Sequence, residues 1–246
     1  MNKQRVVSSL ILAGIFVSFQ SYAAIAMDRT RVIFDGDQKA TSLNISNQNQ
    51  QLPYLAQAWI ENDKGIKIDG PLTILPPVQR LEPGAKSQVK IQALTGINLL
   101  PQDRETLFYF NLREIPPRSN KANVLQLALQ TRVKLFYRPA ALILKETSNG
   151  NTWQNSLTIT KQEGVYTVNN PSPYYITLVD ARANGSTNKA KFKPVMIAPK
   201  SSAGLGVGDL GNSPQVTYIN DYGGRPVLHF ICSGNNCKIA ANQVDK

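Results

Sequence analysis

The chain has 246 residues, 42% of them hydrophobic, with 27 basic against 16 acidic residues, a formal charge of +11, one histidine and two cysteines. That length holds one large or two ordinary domains with sizeable cores. A single histidine and two thiols are too few for a zinc cluster, and the basic charge comes without a helix-turn-helix or an RNA-binding aromatic signature.

At the N-terminus, Lys3 and Arg5 precede an apolar stretch from Leu10 to Phe19 and then small residues at Ser21, Ala23, Ala24 and Ala26. This is the layout of a secretory signal, and the apolar stretch is too short to span a bilayer. Cleavage after Ala23 or after Ala26 fits the small-residue rule; residues 1–23 are the expected leader. The mature chain is then exported, soluble and not inserted in a membrane, and loss of Lys3 and Arg5 leaves it at +9. Export argues against nucleic acid and leaves anionic surfaces or acidic peptides as partners for that charge. It also makes a local disulfide the expected use of Cys232 and Cys237, five positions apart and suited to pinning a terminal hairpin.

Short β-branched and aromatic segments then alternate with turn residues, and no long stripe of helical period appears. Arg31–Phe34 ends at Asp35-Gly36, Leu43 and Ile45 share a face, and Tyr54–Ile60 runs to the turn Asn62-Asp63-Lys64-Gly65. Val89 and Ile91 alternate, and Phe108, Phe110 and Leu112 form one face of a strand that Pro116-Pro117 ends. Between Val124 and Lys134 the alternation is cleanest: Leu125, Leu127, Leu129 and Val133 fall on one face, and Gln126, Gln130, Arg132 and Lys134 on the other. Read from periodicity alone, this is a half-buried sandwich strand, closed at Phe136-Tyr137-Arg138-Pro139.

A second series follows, with strands expected at Leu142–Leu144, Leu157–Thr160, Val165–Val168, Tyr174–Val179, Phe192–Ile197, Val216–Ile219 and Val227–Cys232. Ser201–Ser213 is glycine-rich and reads as a mobile loop, and Asp221-Tyr222-Gly223-Gly224 as a hairpin turn. The fold class is therefore all-β, with two sandwiches: residues 24–139 and residues 140–246.

Catalysis is poorly supplied. A serine–histidine device would rest on His229, which lies inside an expected strand between Leu228 and Phe230, and Gly204-Leu205-Gly206-Val207-Gly208 lacks the strand and helix of a phosphate-binding loop. No enzyme is expected and no cofactor is implied.

Several runs together resemble the PapD-type periplasmic chaperones of the chaperone–usher pathway. They are Asp28-Arg29-Thr30-Arg31, Gln51-Leu52-Pro53-Tyr54-Leu55-Ala56-Gln57-Ala58-Trp59-Ile60-Glu61-Asn62, and Pro76-Pro77-Val78-Gln79-Arg80-Leu81-Glu82-Pro83-Gly84. Further along are Leu107-Phe108-Tyr109-Phe110-Asn111-Leu112-Arg113-Glu114-Ile115-Pro116-Pro117, Leu135-Phe136-Tyr137-Arg138-Pro139 and Tyr218-Ile219-Asn220-Asp221-Tyr222-Gly223-Gly224-Arg225-Pro226. The resemblance is patchier between Ala183 and Gln215.

The resemblance implies an L-shaped pair of immunoglobulin-like domains, a subunit-binding cleft between them, and a periplasmic chaperone that caps pilin subunits and delivers them to an outer-membrane usher. It assigns Arg31 and Lys134 to the pilin's C-terminal carboxylate. It assigns Leu125, Leu127 and Leu129 to the groove of a pilin lacking one strand, and Glu105, Arg138 and Asp221 to an interdomain charge network. The segment Arg118–Asn123 is short, as in the subgroup serving rod-forming pili. Lys134 lies on the opposite parity from the leucines, so a twist, a bulge or a change of contacting face is expected between them. An exposed apolar strand edge also invites self-association when no client is bound. The competing reading is a structural or adhesive two-domain envelope protein that uses its charge on anionic surfaces.

Overall fold

Period-two alternation, cut by prolines and glycine turns, is realised as two β-sandwiches. The computed structural model describes residues 24–121, 123–143, 153–185 and 192–240; the expected leader, residues 1–23, lies outside them.

The first sandwich contains β1 (Ile25–Met27), β2 (Arg31–Asp35), β3 (Ala40–Asn47), β4 (Tyr54–Asn62), β5 (Lys67–Ile68), β6 (Leu72–Leu75), β7 (Val78–Leu81), β8 (Lys86–Ala93), β9 (Thr106–Ile115) and β10 (Gln130–Arg138). One sheet has the order β1-β3-β8-β6; the other runs β2-β10-β9-β4-β5, with β7 added to β4. Their inward rows meet in a core that includes Val32, Phe34, Leu43, Ile45, Ile60, Leu72, Ile91, Phe110 and Leu135. Alternate residues of each strand are buried because side chains point to opposite faces of the pleat.

The second sandwich contains β11 (Thr158–Gln162), β12 (Val165–Asn170), β13 (Ile176–Ala183), β14 (Val195–Ile197), β15 (Ser201–Gly204), β16 (Pro214–Ile219), β17 (Val227–Ser233) and β18 (Asn236–Ile239). β17 changes partners along its length: Val227–His229 pair with β16, and Phe230–Ser233 with β18. It therefore joins β14-β13-β16 to β18-β11-β12-β15 in one continuous path. Cys232 and Cys237 face each other in the β17–β18 hairpin and are bonded. The turn after Ile219 has Gly223 at φ 85, and Asn220 and Gly224 bond across it.

Three expectations change. The strand expected at Leu142–Leu144 is a 3-10 turn at Ala140–Leu142, placed where Pro139 ends β10, and Leu144 lies outside the described residues. Ser201–Ser213 is not a loose loop: Ser201–Gly204 pair with β12, and Leu205 and Leu210 are buried in the core. Tyr166 holds the rest down, its hydroxyl donating to Asp209 at 2.6 Å and accepting the Leu210 N–H at 3.1 Å.

The third change concerns the leucine strand. Its ladder begins at Gln130, not at Val124. β9 stops at Ile115 before Pro116-Pro117, which have no N–H to give, and the last bond on that side runs from the Glu114 N–H to the Leu129 carbonyl at 3.0 Å. On the other side β2 begins only at Arg31, opposite Lys134. Val124–Leu129 consequently extend past the sandwich, with Leu125 at 83%, Leu127 at 64% and Leu129 at 47% exposure.

Candidate functional site

β10 is the strand on which the site is built, because its two faces do different work. Val133, Leu135 and Tyr137 turn into the first core, while Lys134, Phe136 and Arg138 meet the second sandwich. The ladder with β9 is continuous from Gln130↔Arg113 to Tyr137↔Thr106. No bulge or twist defect is therefore needed to reconcile Lys134 with the leucines. By parity the leucines continue the core-facing row beyond the end of the core, and Lys134 belongs to the row facing the second sandwich.

Arg31 and Lys134 are direct partners across the parallel β2–β10 pair, so their side chains share a face. Arg31 is only 8% exposed; its Nη1 donates to the Ile219 carbonyl at 3.2 Å, and its buried Nε has no hydrogen-bond partner. Lys134 Nζ donates to Thr177 Oγ1 at 2.8 Å. Neither makes an ion pair among the described residues. Desolvation, reinforced by the neighbouring Arg31 charge, pushes the Lys134 ammonium down to about 8. Burial likewise lowers Arg31, against the attraction of Asp221 and Glu105.

Four residues further along the same face, Arg138 is bonded on both sides. It reaches Glu105 at 2.7 Å and Asp221 at 2.8 Å, and its guanidinium lies 5.0 Å from the Tyr174 ring. Glu105 also accepts the Tyr175 N–H at 2.8 Å, and its own N–H donates to the Pro173 carbonyl at 2.9 Å. Desolvation opposes the charge on Arg138, but the bond to Asp221 and the charges of Glu105 and Asp221 outweigh it and raise its pKa. All three residues expected in a charge network are thus brought together, with Phe136 against Tyr175 at 5.5 Å between ring centres.

Sequence reasoning missed Thr177 and the Ile219 carbonyl, the neutral oxygens that hold the two cations. It also missed a half-exposed platform beside them. The Arg132 guanidinium lies 3.4 Å from the Tyr109 ring centre and pairs at 2.8 Å with Glu61, which accepts from Trp59 Nε1 at 2.9 Å. The parity of Arg132 and Lys134 was legible, but no local pattern points to contacts made across different strands and domains.

Known proteins resemble this chain in sequence and in fold. A family model described as Pili and flagellar-assembly chaperone, PapD N-terminal domain, matches residues 24–143, and one described as Pili assembly chaperone PapD, C-terminal domain, matches residues 152–230. Chaperone protein PapD of Escherichia coli is 54% identical over 236 residues, covering 94% of this chain and 96% of the relative. Chaperone protein PmfD of Proteus mirabilis strain HI4320 is 45% identical over 223 residues, covering 89% and 87%. Among solved structures, the periplasmic chaperone SfaE aligns with a TM-score of 0.67 at 31% identity, covering 83% of this chain and 98% of that one. The Pseudomonas aeruginosa CupB2 chaperone aligns with a TM-score of 0.68 at 30% identity, covering 85% and 100%. The chain belongs to the PapD family of pilus-assembly chaperones, which are binding proteins and not enzymes.

Proposed function

We propose that this protein is a periplasmic chaperone that captures pilin subunits and passes them to an outer-membrane usher, with residues 24–139 as its N-terminal domain and 140–246 as its C-terminal domain. The observation that carries the reading is the Arg31–Lys134 pair: two desolvated cations side by side, bonded among the described residues to neutral oxygens, at the head of an open strand edge.

β2 occupies the line beside β10 only from Arg31 onward. A client strand lying on that line upstream of Arg31, in the direction of β2, runs parallel to β10 and ends with its carboxylate against both cations. The Arg31 guanidinium and the Lys134 ammonium then gain charge-assisted bonds to that carboxylate, each worth about 1.5–3 kcal/mol. Main-chain pairing supplies affinity along the edge. Leu125, Leu127 and Leu129 fill the client's apolar groove, contributing about 1.5–3 kcal/mol each before ordering costs. Glu105, Arg138 and Asp221 hold the two domains at the angle that shapes the cleft.

The test is Lys134→Ala. It is expected to leave the circular dichroism spectrum intact and not to lower the urea midpoint, while abolishing co-purification of pilin from periplasmic extracts; undiminished pilin recovery would end the anchoring role.

A further inference from the structure

Glu114 closes the core-facing row of β9, following Phe108, Phe110 and Leu112, and it is the member of that row that carries a charge. It is 6% exposed and lies opposite buried Ala56 in the ladder. Its Oε2 accepts the Ile25 N–H at 2.8 Å, and it makes no ion pair among the described residues. A carboxylate buried without a cation is strongly unfavourable.

The start of β1 stands against it. Ala24 is 8% exposed and its carbonyl accepts the Gln48 N–H at 2.6 Å; Ile25 is 4% exposed, belongs to the core and pairs with Asn47. The Ala24 nitrogen is one residue, at most about 3.6 Å of chain, from the nitrogen whose N–H bonds Glu114.

We propose that leader cleavage falls after Ala23 and that the α-ammonium group it creates on Ala24 is the counter-ion of Glu114. Hydrolysis of the Ala23–Ala24 peptide bond leaves a carboxylate on the leader, with water supplying its oxygen, and the freed Ala24 nitrogen takes up protons to become an ammonium. Cleavage after Ala26 would instead remove Ala24 and Ile25, open the core at its rim and take away the donor that Glu114 already has. Glu114 also touches the leucine run, its own N–H donating to the Leu129 carbonyl at 3.0 Å.

The test combines N-terminal sequencing of protein purified from periplasm with pH-dependent acylation of its α-amino group, read by mass spectrometry of the N-terminal peptide. The expected start is Ala24. Its amine should react about tenfold more slowly at neutral pH than in Glu114→Gln, because the carboxylate raises the amine's pKa by a unit or more. Glu114→Gln keeps an acceptor for the Ile25 N–H. Should that variant fail to fold, one glycine inserted between Ala23 and Ala24 moves the ammonium away, and the parent protein should again be about tenfold slower. A start at Met27, or equal rates in parent and variant, overturns the assignment.

Discussion

Two cationic clusters lie four residues apart on one face of β10, and they are built on opposite plans. Arg138 is balanced inside the folded chain, between Glu105 and Asp221 and over the Tyr174 ring. Arg31, buried, and Lys134, half-buried, also lie in the junction between the sandwiches, but among the described residues they bond the Ile219 carbonyl and the Thr177 hydroxyl. Both clusters bridge the same two units, so burial alone does not separate a joint from a receptor. Charge balance does: Arg138 is paired with anions of its own chain, whereas Arg31 and Lys134 make no ion pair among the described residues, and under the proposed function a client completes them.

Breaking the balanced cluster should have the larger effect on the fold. Arg138→Ala strands Glu105 and Asp221 in the junction and is expected to lower stability by about 3–5 kcal/mol in urea unfolding; a loss under 1 kcal/mol would show that the cluster is not the joint. Lys134→Ala acts on the other side of the comparison, costing client affinity by about 2–5 kcal/mol while sparing the fold. Leu127→Glu should weaken pilin capture by a factor of roughly 10 to 150, the equivalent of one apolar side chain leaving its groove. Its urea midpoint should not move, since Leu127 is 64% exposed. A lowered midpoint with normal capture would return the leucine run to the core.

The contrast also explains how far the sequence could be read. Strands such as β4 and β8 were legible because one face is buried, and burial writes itself as alternation. Val124–Leu129 carry the same alternation, but among the described residues no strand pairs with them and their leucines stay exposed. Periodicity placed them in the core because it records that a face is apolar and not what covers it. β15 and the tucked Leu205 and Leu210 were hidden by the glycines around them, whose turns mask the short pairing with β12. Arg31 and Lys134 are ordinary basic residues in isolation. Only the resemblance singled them out, because the β2–β10 register that sets them side by side joins positions over a hundred residues apart.

The unbalanced pair should also reveal itself by opposite pH dependences for stability and binding. In the free folded chain the Lys134 ammonium is pushed down to about 8 by desolvation and then by Arg31, against an ordinary value near 10.5. Between these values the unfolded chain holds the proton that the folded chain has lost, so folding stability from this group rises with pH above about 8. Client binding runs the other way. A carboxylate beside Lys134 favours the ammonium and lifts its pKa in the complex above 8. Affinity is therefore full below about pH 8 and falls as pH climbs through the pKa of the complex, by no more than about tenfold per unit for one proton. Lys134→Met should flatten both curves between about pH 7.5 and 9.5. It should also raise stability at neutral pH by about 1 kcal/mol, the remainder of a larger desolvation penalty after solvent screening. Urea unfolding and pilin binding measured across that window on both proteins check the pair of signs. Parallel slopes, or slopes that persist in Lys134→Met, would mean that Lys134 is not the group through which the client carboxylate is read.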